Sequence, residues 1–138
     1  MMKYLFLVVT VFAAVKAQQL TQEEIEKFKK IHSDCMKETS VDEAVMLAAM
    51  RGEYTEDEKL KNQILCANKK IGFQKENGDI DEEVLFKKLV EKFSNETLVK
   101  AAVKQCAQKK DNPAETGFQM TKCLHSMAPT DLKVESYF

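Results

Sequence analysis

From Thr21 onward the apolar positions recur three and four residues apart, the spacing that gathers side chains on one face of an α-helix. Most of these runs begin with a side chain able to accept from the free amides of a first helical turn, and several add a carboxylate three residues on. Thr21 with Glu24 predicts a first helix carrying Ile25, Phe28, Ile31, His32, Cys35 and Met36, ending near Thr39. Ser40 with Glu43 predicts a second, bearing Ala44, Val45, Leu47, Ala48 and Met50, stopped by Gly52. Thr55 with Glu58 opens a third through Leu60, Ile64, Leu65 and Cys66 to near Gly72, and Asn77-Gly78-Asp79 then reads as a turn. Asp79 with Glu82 starts a fourth, rich in Val84, Leu85, Phe86, Leu89, Val90 and Phe93. Ser94 or Asn95 caps a fifth with Leu98, Ala101, Ala102, Val103 and Cys106 on one side, and Lys109-Lys110 suits its C-terminal dipole. Asn112 before Pro113 opens the sixth, with Phe118, Cys123, Leu124 and Met127, and Pro129 ends the regular structure. No segment alternates with a two-residue period, so almost no strand is expected.

The first residues follow another pattern. Lys3 heads an apolar stretch from Tyr4 to Val15, and Val15-Lys16-Ala17 offers small residues to a signal peptidase, so residues 1–17 are expected to be a cleaved leader. The stretch is too short to span a membrane and no long apolar run follows it, so no membrane insertion is expected. Residues 18–138 would then form one domain of 138 − 17 = 121 residues, long enough to bury a core of its own. Without Lys3 and Lys16, 19 basic residues face 22 acidic ones, a net charge of 19 − 22 = −3. Both signs are interleaved, as in Glu23-Glu24-Ile25-Glu26-Lys27, and no basic footprint remains for nucleic acid. Seven methionines and eight phenylalanines without a tryptophan hint at deformable apolar walls, although Met1, Met2, Phe6 and Phe12 belong to the leader.

Four cysteines, Cys35, Cys66, Cys106 and Cys123, in an exported chain point to two bridges, and residue types alone allow three pairings. Their spacing resembles the insect odorant-binding protein family, the pheromone- and general-odorant-binding proteins. In the six-cysteine form of that family the third cysteine follows the second by four positions and the sixth follows the fifth by nine. With Cys66 as the third and Cys123 as the sixth, the absent positions fall on Asn62 and Ala114, both partners of one bridge. That is the pattern of the four-cysteine, or Minus-C, branch. Cys66-Ala67-Asn68-Lys69-Lys70-Ile71-Gly72 followed by the turn at Asn77-Gly78 is similar to the family's third helix and the loop after it. The resemblance implies the pairs Cys35–Cys66 and Cys106–Cys123. It also implies an all-α, six-helix, disulfide-braced shell around an internal hydrophobic cavity.

The function implied is that of a secreted carrier of small hydrophobic ligands, odorants, pheromones or similar semiochemicals, working through sensillar lymph or another body fluid. Such a carrier serves an olfactory membrane receptor indirectly and exists as a monomer or weak homodimer, and no cofactor is called for. Two alternatives are a non-olfactory carrier in haemolymph, gut or reproductive fluid, and a secreted partner-binding module without a cavity. For the cavity wall, inward-facing apolar positions select Met46, Met50, Leu65, Phe73, Phe86, Leu89, Val90, Phe93, Leu98, Ala102 and Phe118. The tail, residues 128–138, ends in Tyr137-Phe138, which is too apolar for an ordinary solvated terminus, and the resemblance implies a place for it against the cavity mouth.

Other chemistry finds little footing. His32 and His125 have serine and aspartate neighbours, but no nucleophile-elbow glycine pattern accompanies either, and an enzyme is not expected. Asn77-Gly78-Asp79-Ile80-Asp81 resembles half of a calcium loop. With Gly78 as the loop glycine, Phe73, Lys75 and Val84 fall where carboxylates are needed. No zinc spacing occurs, so no metal is expected. Asn95-Glu96-Thr97 is a glycosylation sequon whose asparagine can equally serve as a helix cap.

Overall fold

A computed structural model describes residues 21–128, and among these residues the chain forms six α-helices. They are α1 (Gln22–Thr39), α2 (Glu43–Met50), α3 (Glu58–Ile71), α4 (Glu82–Phe93), α5 (Glu96–Cys106) and α6 (Pro113–Met127). The only pairing of extended backbone among the described residues is an isolated bridge between Gln74 and Ile80 flanking the Asn77-Gly78 turn. The expected leader and most of the expected tail lie outside the described residues.

Three helices begin two residues later than the capping boxes predicted. Thr21, Asn95 and Asn112 cap α1, α5 and α6 as expected, accepting from the amides of Glu24, Leu98 and Glu115. In the other three an aspartate nearer the helix takes the role. Asp42 caps α2 in place of Ser40, Asp57 caps α3 in place of Thr55, and Asp81 caps α4 in place of Asp79. A carboxylate is the stronger acceptor for helix amides and carries the charge that the helix N-terminus favours. Ser40 instead terminates α1: it adopts a left-handed conformation and its amide donates to the Met36 carbonyl. Gly72 ends α3 in the same way at φ +101°, where a side chain would be strained.

Helix α3 packs on α1 and α6, while α5 packs on α4 and α6. Both bridges staple these contacts: Cys35–Cys66 joins α1 to α3, and Cys106–Cys123 joins α5 to α6. One core gathers Val41, Met46, Ala49, Leu60, Ile64 and Phe118; a second gathers Leu85, Val99, Val103 and Met120. Phe118, Leu85 and Met120 are wholly excluded from solvent.

Polar ties reinforce the α3–α6 contact. Lys61 Nζ lies 2.7 Å from Glu115 Oε2 and 2.7 Å from Glu56 Oε2, 5.2 Å above the Phe118 ring. Hydrogen bonds donated to Glu115 and then Glu56 hold the Lys61 ammonium above its ordinary range, and the bond from Lys61 holds the Glu115 carboxyl below its own. Lys61 and Glu115 are the sequence neighbours of Asn62 and Ala114, the positions on which the family resemblance places the absent cysteines. An ion pair thus links the two helices beside the place where the resemblance would put a third bridge.

Nearby, the buried Gln74 side chain accepts from Asn68 Nδ2 at 3.0 Å and donates to the carbonyls of Gly78 and Pro113 at 2.8 and 3.1 Å. It presses against Gly117, where an added Cβ would sit 2.2 Å from Gln74 Oε1. These bonds fasten the α3–α4 loop to the start of α6.

Candidate functional site

Residues from all six helices converge on a cavity of about 350 Å³ that takes wall from both cores. Helix α3 contributes the longest stripe. Leu60, Ile64, Ala67 and Ile71 recur at helical spacing along one face, with Gln63 and Asn68 beside them. Phe28 and His32 enter from α1, Met46, Ala49 and Met50 from α2, and Tyr54 from the connection that follows. Phe73, Leu89 and Phe93 line the far side with Leu98, Val99 and Ala102 of α5. Helix α6 closes the wall with Thr121, Leu124, His125 and Met127, and Ala128 follows. Leu98 is 48 % exposed, so this part of the wall meets solvent.

Seven of the apolar positions selected from sequence lie on this wall: Met46, Met50, Phe73, Leu89, Phe93, Leu98 and Ala102. Four lie elsewhere. Leu65 faces a surface groove with Glu38, Asn62, Cys66 and Lys69. Phe86 and Val90 are half-buried against the second core. Phe118 fills the first core, its ring edge-on to Tyr54 at 5.9 Å. Tyr137 and Phe138 lie outside the described residues.

The wall residues that the sequence reading missed include the α3 stripe, whose i, i+4, i+7 and i+11 spacing was the available signal, and apolar residues of the other elements such as Phe28, Ala49, Val99 and Leu124. The polar ones, His32, Gln63, Asn68, Thr121 and His125, carried no such signal. Asn95 is exposed, and its side chain accepts from the Leu98 amide as a helix cap.

The wall carries no Lys, Arg, Asp or Glu among the described residues. Its polar groups are largely bonded to one another. Gln63 accepts from the Thr39 hydroxyl at 2.8 Å, and its amide nitrogen lies 3.1 Å from the His32 carbonyl oxygen and 3.3 Å from His32 Nδ1. Asn68 Nδ2 donates to Gln74 and, at 3.4 Å, to the Thr121 hydroxyl. Burial pushes the His32 imidazole down to about 4 and the Tyr54 phenol up to about 12, so both are neutral at physiological pH. Tyr54 stands edge-on to His125 at 5.8 Å. The Ser126 hydroxyl is turned to the Cys123 carbonyl. No group of three acidic, histidine or cysteine side chains that could hold a metal occurs among the described residues. Such a wall can receive and orient a molecule.

Residues 17–127 match the PBP/GOBP family. The chain belongs to that family. With two bridges and four cysteines it has the Minus-C form of an odorant-binding protein. It is 31 % identical over 110 residues to the B2 protein of Tenebrio molitor, covering 80 % of this chain and 86 % of that one. Among solved structures it is similar to the fatty acid binding protein OBP56a from the oral disk of the blowfly Phormia regina. That match has a TM-score of 0.66 and 29 % identity, and it covers 80 % of this chain and 96 % of the other. Odorant binding protein 7 of Anopheles gambiae, solved with four disulfide bridges in complex with an azo compound, shares the fold at a TM-score of 0.68. Its identity is 18 %, over 87 % of this chain and 98 % of that one. The odorant-binding family therefore accounts for the six-helix shell, and no helix among the described residues is long and apolar enough to cross a membrane.

Proposed function

We propose that this odorant-binding protein is a secreted, non-enzymatic carrier that takes a small hydrophobic molecule into the cavity and moves it through extracellular fluid. The observation that carries the reading is the cavity itself, about 350 Å³ with an apolar wall drawn from every helix. Its size falls at the lower end of the range for small-molecule sites. Removing apolar ligand surface from water supplies roughly 25 cal/mol per Å², less the cost of ordering the ligand, so affinity is moderate and selectivity is set by shape. Odorants, pheromones or similar semiochemicals fit this description, and an olfactory receptor would be served indirectly. In this reading residues 1–17 are the leader, residues 18–138 the working domain, and the unit a monomer or weak homodimer. Ala128, the first residue of the expected tail, stands on the cavity wall, which supports a role for Tyr137 and Phe138 at the mouth.

A second reading, a non-olfactory carrier, draws support from the blowfly relative, which is named as a fatty acid binding protein and comes from the oral disk. The test is titration of the oxidised, delipidated protein with an apolar fluorophore such as phenylnaphthylamine, followed by displacement with volatiles and fatty acids. Saturable, displaceable uptake supports the carrier. Its absence in correctly bridged protein overturns the carrier in favour of a partner-binding module.

A further inference from the structure

The inference rests on the carrier reading and concerns which ligand end group the cavity accepts. Gln63 fixes the state of His32 through geometry. A carbonyl oxygen only accepts, so the Gln63 atom 3.1 Å from the His32 carbonyl must be the amide nitrogen; the Thr39 hydroxyl donating to Oε1 agrees. The same nitrogen lies 3.3 Å from His32 Nδ1 and 3.6 Å from Met46 Sδ; an amide nitrogen does not accept, so a proton on Nδ1 would find no acceptor at this contact and Nδ1 is assigned as the acceptor. The ring proton is therefore on Nε2. A charged imidazolium would set N–H against N–H at this contact, and burial opposes that charge as well.

No hydrogen-bond partner for His32 Nε2 is found among the described residues, and the ring lies on the cavity wall. No cationic side chain stands on the wall among the described residues, and the lysines behind it are held by other groups. Lys61 is paired with Glu56 and Glu115, and Lys88 donates to the Ile71 carbonyl. We propose that the cavity selects an uncharged ligand bearing a hydrogen-bond acceptor, an ester, ketone or aldehyde, docked on the Nε2–H of His32, and disfavours the same chain ending in an ionised carboxylate. A neutral acceptor exchanges one hydrogen bond to water for one to His32. A carboxylate entering this wall loses its hydration and meets no cationic side chain on it among the described residues.

The experiment is displacement of phenylnaphthylamine at neutral pH by methyl decanoate, decanoate and dodecane, on the wild-type protein and on His32→Leu. On the wild type, methyl decanoate should bind roughly tenfold or more tightly than decanoate. In His32→Leu the advantage of the ester over the hydrocarbon should shrink by roughly 3- to 10-fold. A long-range proton–nitrogen correlation spectrum of the wild type should show the Nε2–H tautomer of His32, with its signals moving on addition of the ester. This spectrum and the ester-to-carboxylate ratio need no variant to fold. Uptake of fluorophore with equal displacement by decanoate, an unchanged ester advantage in folded His32→Leu, or an Nδ1–H tautomer overturns this inference alone. Failure of the fluorophore to bind overturns the carrier reading and this inference with it.

Discussion

A cavity of about 350 Å³ sets a length limit that a homologous ligand series should expose. A methylene group is similar in size to a water molecule, whose share of the liquid is about 30 Å³, so the cavity holds roughly a dozen non-hydrogen atoms. Burying each methylene is worth about 0.8 kcal/mol, a factor of about four in affinity; immobilising its rotor lowers this toward twofold. Straight-chain methyl esters should therefore gain about two- to fourfold per added carbon until they reach roughly a dozen heavy atoms, then level off. Ala102 lies on the wall of α5 and is 8 % exposed. Ala102→Leu places three more carbons in the same space and should bring the plateau forward by about three ligand atoms. Fluorophore displacement or calorimetry reads both limits, with circular dichroism checking that the variant keeps its helices. Affinity still rising beyond about sixteen atoms, or an unmoved plateau in the folded variant, would refute the assignment of this cavity as the ligand's place.

His32 makes stability depend on pH. Its imidazole is lowered from 6.5 to about 4 by burial, so the unfolded chain binds the extra proton first. Stability should fall as pH drops through that window, by up to about 1.4 kcal/mol per unit, and denaturant melts of His32→Leu should lose this slope. Glu115 acts at lower pH. Its carboxyl is held below the ordinary value by Lys61 and then by Gln119, so its contribution is present above the carboxylate range and is lost as pH falls through the lowered value. Glu115→Gln should destabilise the protein at neutral pH and flatten the acid limb of the same melts.

In the chain-entropy model the two bridges differ slightly, because their sequence separations are 31 and 17. Replacing Cys35 and Cys66 by alanine should cost about 3.7 kcal/mol and the second pair about 3.2, with equal losses contradicting the loop-length argument. Gly117→Ala drives a methyl into Gln74 Oε1 and should cost roughly 1–3 kcal/mol by displacing its three buried hydrogen bonds, as thermal unfolding would show.

The helices were legible in the sequence because apolar periodicity and capping chemistry are local. Thr21, Asn95 and Asn112 each act within three residues of themselves, and their helices begin where the sequence places them. Where two acceptors lay within two residues of each other, as with Thr55 and Asp57, propensity did not choose between them; the folded backbone put the aspartate next to the free amides. The bridge pairing followed from the family resemblance, since four cysteines alone permit three arrangements.

The division of apolar residues between cavity and core was not local. Met46 and Phe118 both lie on inward faces, yet one lines the void and the other is sealed beneath Tyr54 and Lys61. That outcome depends on what the opposing helix presents, and no periodicity within one helix encodes it. The state of His32 is decided by a glutamine 31 residues away that is oriented by the His32 carbonyl and the Thr39 hydroxyl. The sequence by itself determined the helices and their apolar faces, because those forces act over a few residues. Only the tertiary structure decided which faces met closely enough to form a core and which stood apart to leave a cavity, because packing is settled between side chains distant in the chain.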